Sequence, residues 1–217
     1  MITLDSAHVP TITEDHVYYF RGNRWPGVTE VLASHGFFGG YPVGGDYMLR
    51  GRYVHSACQF LDNGTLDESS LNYRIRGYVS AYKRLLFNTG ADIIAAETRM
   101  AHPIRGYCGT PDRFVINNGE VEVWDLKTGN VIPGVRLQLS AYAMLAAFHP
   151  DLMMLCHGPI RRVAVELHDD GTYRFNAYEI HDNQRDEAAW VAALNLYHWK
   201  RIVGVKDVNH DQGNDGL

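Results

Sequence analysis

The 217-residue chain is predicted to be an α/β protein with a mixed central β-sheet flanked by helices. Three observations point there. Residues 68–87 carry Leu71, Ile75, Tyr78, Tyr82 and Leu85 at the three- to four-residue spacing of an amphipathic helix. Two alternating runs meet at Asn118-Gly119, the strongest short-range signal for a hairpin with a type I′ turn. The segment 135–148 is apolar nearly all round, which marks a buried helix, and a further strand follows it. The central order is thus helix, strand, strand, strand, helix, strand. No internal repeat or low-complexity linker divides the chain, so residues 1–205 are read as one domain with an N-terminal helical segment.

In chain order, Val17–Phe20 reads as a first short strand, closed by the turn-rich Arg21–Gly27, and Val28–Ser34 as a short helix. Glycines 39, 40, 44 and 45 mark an irregular loop. A helix is expected from Asp46, as N-cap, to about Leu61, with Asn63-Gly64 as its stop. A second runs over Glu68–Phe87, starting near Ser69 or Ser70. Ile93–Met100 reads as a strand, followed by the Asp112–Lys127 hairpin and, after Pro133-Gly134, the 135–148 helix. Arg162–Leu167 and Tyr173–Tyr178 form a second hairpin across Asp169-Asp170-Gly171. A last helix covers Gln184–Ile202, and the polar tail 206–217 is expected to fray into disorder.

Composition excludes several classes. At 46% hydrophobic and 21% charged residues the chain is an ordinary globular protein. No apolar run approaches the roughly 18–20 residues of a membrane span, so no membrane partner is expected. Met1–Asp5 has neither a basic n-region nor an h-region, which argues against a secretory signal. Cys58, Cys108 and Cys156 are odd in number and far apart, without a CxxC pair. That argues for a reducing, cytoplasmic setting and against disulfides, a four-cysteine zinc site or an iron–sulfur cluster. The net charge of −5 is awkward for a nucleic-acid binder. Residues 206–217 hold Asp207, Asp211 and Asp215 against Lys206, a net of −2, which leaves −3 for the body. Any nucleic acid would be held by local basic groups rather than by a global field.

The chemistry concentrates in the first hairpin. A two-residue turn at Asn118-Gly119 pairs residues whose numbers sum to 237, and 112 + 125 = 237. Asp112 and Asp125 would then face each other, with Cα atoms about 4.5–5.5 Å apart. Period-two geometry puts Asp112, Phe114, Ile116, Val121, Val123, Asp125 and Lys127 on one face. The other carries Arg113, Val115, Glu120, Glu122, Trp124 and Leu126. The first face is an apolar strip with three charged groups at one end. Opposed like charges destabilise a sheet unless neutralised, and buried charge is costly unless paired or metal-bound. Two readings satisfy this: a divalent cation between the carboxylates, or a structural Asp–Lys ion pair at the sheet end.

Pro111-Asp112 followed by Asp125-Leu126-Lys127 resembles the PD-(D/E)xK nuclease superfamily. Downstream, Gln138–Tyr142 is similar to the QxxxY extension of its RecB-like exonuclease branch. Upstream, Arg50-Gly51-Arg52-Tyr53-Val54-His55 resembles that branch's helix bearing a metal-binding histidine. Glu97 stands where the branch often has an acid ahead of a G-x-x-D element, here Gly109–Asp112. Asp125–Gly129 resembles its D-x-K-T-G form. The likeness runs from about Trp25 to Tyr142, and Gln59 departs from it where relatives often carry an acid.

The resemblance implies a restriction-endonuclease-like core in αβββαβ order. It implies a phosphodiesterase using Mg²⁺ or Mn²⁺, with His55, Asp112, Asp125 and the Leu126 carbonyl as ligands, and with Glu97 and Lys127 in the catalytic set. DNA would be the partner, as single strands or duplex ends, in recombination, repair or phage DNA processing. Gln138 and Tyr142, at i and i+4, would line the DNA groove or else satisfy each other in the core. Arg136, Arg50 and Arg52 are either phosphate contacts or solvated charges. A structure-specific endonuclease and a catalytically idle DNA-binding module are the competing readings, and oligomeric state stays open.

Overall fold

The computed structural model describes residues 9–38 and 45–205. A five-stranded sheet in the order β10-β9-β8-β7-β4 forms the centre. It is built from β4 (Asp92–Ala96), β7 (Arg113–Asn117), β8 (Glu120–Lys127), β9 (Arg161–Leu167) and β10 (Tyr173–Ala177). All its pairings are antiparallel except β8 with β9, so the sheet is mixed as expected. The parallel pair is joined through α4 (Pro133–Leu145), because parallel neighbours need a crossover connection. Helices α2 (Gly45–Asp62) and α3 (Tyr73–Thr89) share one apolar core with Val115, Trp124, Leu126, Val163 and Val165. Helices α1 (Val28–Ser34), α4 and α6 (Asn183–Val203) share the other with Phe114, Val123 and Ala164. Alternate residues of β7 and β8 thus feed two cores, and both hairpin faces are buried rather than one.

The β7–β8 register has the predicted sum: Arg113 pairs with Trp124, Phe114 with Val123 and Asn117 with Glu120. Asn118 (φ 52°) and Gly119 (φ 81°) both take the left-handed conformation that a type I′ turn demands. The strand begins at Arg113, one residue later than expected, so Asp112 lies just beyond the last ladder pair.

Several boundaries differ, each for a local reason. The turn-rich stretch after β2 (Tyr18–Phe20) holds a further strand, β3 (Asn23–Trp25). Arg21 (φ 51°) and Gly22 (φ 76°) make the tight turn, which the Arg-Gly pair signals less clearly than Asn-Gly. The expected helix from Glu68 is broken. A 3₁₀ turn at Glu68–Ser70 precedes α3, which starts afresh where the Asn72 side chain caps the Arg74 N–H. Ile93–Met100 is two strands, because Glu97 takes φ 49° and turns the chain from β4 into β5 (Met100–His102). β5 pairs with β6 (Tyr107–Gly109), and α5 (Pro150–Leu155) follows a 3₁₀ turn at the end of α4; neither β6 nor α5 was expected. α2 begins at Gly45, so Asp46 lies inside the helix rather than as its expected N-cap, while glycines 39, 40 and 44 and the tail 206–217 lie outside the described residues.

The small strands fix where the hairpin's charged end points. β1 (Thr11–Ile12), β2 and β3 form a meander whose Tyr18 and Phe20 pack on Ala101 and Cys108. Tyr18 Oη lies 2.8 Å from Thr110 Oγ1, and the Cys108 N–H donates to the Pro26 carbonyl. Gly109 has no room for a side chain, since a Cβ there would stand 2.8 Å from the Tyr142 ring. The approach to Asp112 is therefore clamped on both sides.

Candidate metal centre

Three elements converge where β8 emerges from between its neighbours. α2 supplies His55, the residue after β4 supplies Glu97, and the β7 approach supplies Asp112. Among the described residues these three form a group whose ligand atoms all lie within 4.8 Å of one another. His55 Nδ1 is 3.4 Å from both Glu97 Oε1 and Asp112 Oδ1, and its Nε2 is 2.9 Å from the Leu126 carbonyl oxygen. The second Asp112 oxygen accepts the Leu126 N–H at 2.6 Å. Asp125, buried beside them, pairs with Lys127 Nζ at 2.6 Å, and Lys127 also reaches Gln138 Oε1 at 3.4 Å. The structure thus brings His55, Glu97, Asp112, Asp125, Leu126 and Lys127 to one end of the central strands.

Burial and close charges shift three ionisable groups at this point, His55, Asp112 and Asp125. Burial alone would lower the His55 pKa, but the Asp112 and Glu97 carboxylates reverse this and hold it up at about 10. Burial works against ionised Asp112 too, yet the His55 charge keeps its carboxyl well below the usual range. Asp125 goes the other way: burial, with the Asp112 charge behind it, outweighs Lys127 and raises it. The His55 imidazolium is the positive charge beside Glu97 and Asp112, while Asp125 is met by Lys127. Once His55 gives up that proton, Glu97, Asp112 and Asp125 sum to −3 against Lys127 at +1, leaving −2. One imidazole nitrogen and carboxylate oxygens are donors that could hold a divalent cation such as Mg²⁺ or Mn²⁺, while the Leu126 carbonyl faces the other ring nitrogen of His55.

Behind these groups lies a set of residues that the sequence reading left unassigned. Arg113 is fully buried, on the sheet face opposite Asp112. Its Nε lies 2.6 Å from Asp62 Oδ2 and donates to Tyr82 Oη at 3.1 Å. Its Nη1 donates to the Asp112 carbonyl at 2.6 Å and stands 3.4 Å from Glu97 Oε1. Tyr82 closes the ring by donating to Asp62 Oδ1 at 2.8 Å. Glu97 is held by its backbone as well, its N–H donating to the Asp112 carbonyl at 3.0 Å. A left-handed glutamate costs about 1–2 kcal/mol, and such strain clusters at functional sites. The signal for Arg113 was available: a charge alternating with Val115 on a core face must have a buried partner.

The remaining candidates are placed as follows. Gln138 and Tyr142 are buried, and the Gln138 amide donates to Tyr142 Oη at 3.1 Å. The pair satisfies itself while Gln138 also meets Lys127. Arg136 forms ion pairs with Asp182 and Asp186, and Arg162 shares Asp186. Arg50 donates to the Thr128 carbonyl at 2.9 Å and stacks over Tyr47 and Tyr78, and Arg52 is exposed on the same helix.

No helix among the described residues is long and apolar enough to cross a membrane. No family profile matches the chain, and no curated protein matches it. Among solved structures, an alkaline exonuclease, LHK-Exo, from Laribacter hongkongensis is similar at 18% identity and a TM-score of 0.32, over 82% of this chain and 92% of that one. LHK-Exo in complex with dAMP is similar at 20% identity and the same TM-score, over 83% and 93%. A likeness this slight carries no argument, so the functional reading rests on the site.

Proposed function

We propose that the protein is a divalent-metal-dependent DNA nuclease, an exonuclease by preference, that hydrolyses phosphodiester bonds. The carrying observation is the convergence of His55, Glu97 and Asp112 beside the buried Asp125–Lys127 pair at the end of the central strands. An ion pair needed only for structure would not require three carboxylates and an imidazole in one place. His55, Glu97, Asp112, Asp125 and the Leu126 carbonyl are the groups that would hold Mg²⁺ or Mn²⁺. The ion would supply a low-pKa water and charge neutralisation at the phosphate. Lys127, held between Asp125 and Gln138, would stabilise charge developing on the phosphate, and its ammonium cannot itself be a ligand. Arg113 positions Glu97 and the Asp112 backbone without reaching the substrate.

The exonuclease preference comes from the QxxxY resemblance of Gln138–Tyr142. An endonuclease on the same scaffold uses the same ions and the same residues. Incubation with 5′- and 3′-labelled single- and double-stranded DNA in Mg²⁺, Mn²⁺ or EDTA tests both. Mononucleotides or short oligomers released from ends, abolished by EDTA and by Asp112→Asn, are expected. Internal cuts would select the endonuclease, and no cleavage with either metal would refute the proposal.

A further inference from the structure

The face of α2 that turns away from the metal centre is apolar where a soluble helix should be polar. Tyr47, Tyr53 and Phe60 are 58%, 61% and 54% exposed, and Tyr73 at the start of α3 is 76% exposed. With Arg50, the α2 residues recur every three or four positions before a gap at Ala57, so they form one stripe. The stripe and the start of α3 line a groove of about 1060 Å³. Its two basic residues are stacked on its rings. Arg50 lies 4.9 Å from the Tyr47 ring centre and 5.2 Å from that of Tyr78, and Arg74 lies 5.8 Å from that of Tyr73. Asp169 is the single acid of the lining.

We infer that this groove binds single-stranded DNA, with bases stacking on Tyr53 and Tyr73 and the backbone drawn along Arg50 toward the metal centre. Exposed ring faces beside guanidinium groups match a strand that offers flat bases and a regular line of phosphates. In a duplex those base faces are already stacked on one another, so the rings would gain nothing. The groove also leads to the right place. Arg50 Nη2 donates to the Thr128 carbonyl, next to Lys127, and its buried Nε has no hydrogen-bond partner among the described residues. His55 lies five residues further along α2, about 7.5 Å along the helix axis and roughly 140° around it, so a strand passing Arg50 would round the edge of α2 to reach the metal centre. The direction of the strand rests on the nuclease reading; the binding itself does not.

The test uses the full chain in Ca²⁺ and a fluorescein-labelled oligo(dT) twelve-mer, followed by anisotropy, with Mn²⁺ binding measured in parallel. Tyr53→Ala/Tyr73→Ala should weaken oligo(dT) binding by about 30-fold or more, since each stacked base contributes roughly 5- to 150-fold. Tyr53→Phe/Tyr73→Phe keeps both rings and should bind within about threefold of the parent. The parent should prefer oligo(dT) to a blunt duplex of equal length. Unchanged affinity in the alanine variant, loss in the phenylalanine variant, or a preference for duplex would each overturn the inference. So would sedimentation showing that the stripe joins two copies of the chain and is unavailable to DNA. Ring-dependent oligo(dT) binding in a protein that takes no Mn²⁺ would sink the nuclease reading and leave the groove standing.

Discussion

Replacing Arg113 by methionine keeps most of its volume and removes its charge. The guanidinium holds Asp62, Tyr82, Glu97 and the Asp112 carbonyl, with its closest contacts at 2.6 Å. At an effective dielectric of about 20, two unit charges 4 Å apart interact by about 4 kcal/mol. Removing one partner of a buried pair costs about 3–5 kcal/mol, chiefly because the other charge is stranded. Asp62 is that charge: burial raises its pKa and Arg113 opposes this, so without Arg113 its carboxylate is left buried and uncompensated. Arg113→Met should therefore lower stability by about 3–5 kcal/mol in urea unfolding. Arg113→Met/Asp62→Asn should recover a good part of that loss, because no charge is then stranded. Mn²⁺ affinity should fall by about 10- to 100-fold in both, since Glu97 and the Asp112 backbone lose their anchor. Stability losses that simply add, together with unchanged Mn²⁺ affinity, would refute the positioning role.

His55 is charged in the metal-free protein and neutral as a ligand, so Mn²⁺ must displace its proton. Affinity should rise about tenfold per pH unit from pH 6.5 to 8.5, and titration of His55→Gln should be much flatter. Because the folded pKa lies above the unfolded 6.5, the imidazolium's stabilisation of the metal-free protein is complete below about pH 6.5 and lost as pH rises through about 10. Lys127→Ala should cut turnover by about 100-fold or more while Mn²⁺ affinity holds or rises; an unchanged rate with lost thermal stability would favour the structural ion pair. Gly109→Ala should cost about 1–3 kcal/mol in urea unfolding, because its Cβ meets the Tyr142 ring; a neutral effect would show that the ring yields freely.

The placement of the charged groups at the hairpin was legible because it rests on short-range rules. Asn118-Gly119 sets the turn, the turn sets the register, and the register carries Asp112 to the same end as Asp125 and Lys127. His55 was legible only through its resemblance, since a lone histidine on a helix carries no geometric signal. Glu97 shows the limit in another form. Its left-handed backbone, which ends β4 and turns its carboxylate toward His55, is imposed by tertiary contacts with Asp112 and Arg113. No propensity marks a glutamate for that conformation. Arg113, Asp62 and Tyr82 lie on three elements and meet only after folding, so their ring has no linear signature. The exposed α2 stripe was also hidden, because its rings have the spacing of an ordinary core face.

Anomalous scattering from crystals grown with Mn²⁺ reports directly where a divalent ion sits. The predicted result is one strong peak within about 2.0–2.4 Å of an Asp112 oxygen and a His55 ring nitrogen. Lys127 should stand outside the coordination sphere, and Asp112→Asn should abolish the peak. No peak under Mn²⁺ concentrations that support cleavage, or a peak elsewhere with His55 still bonded to Glu97 and Asp112, would contradict it.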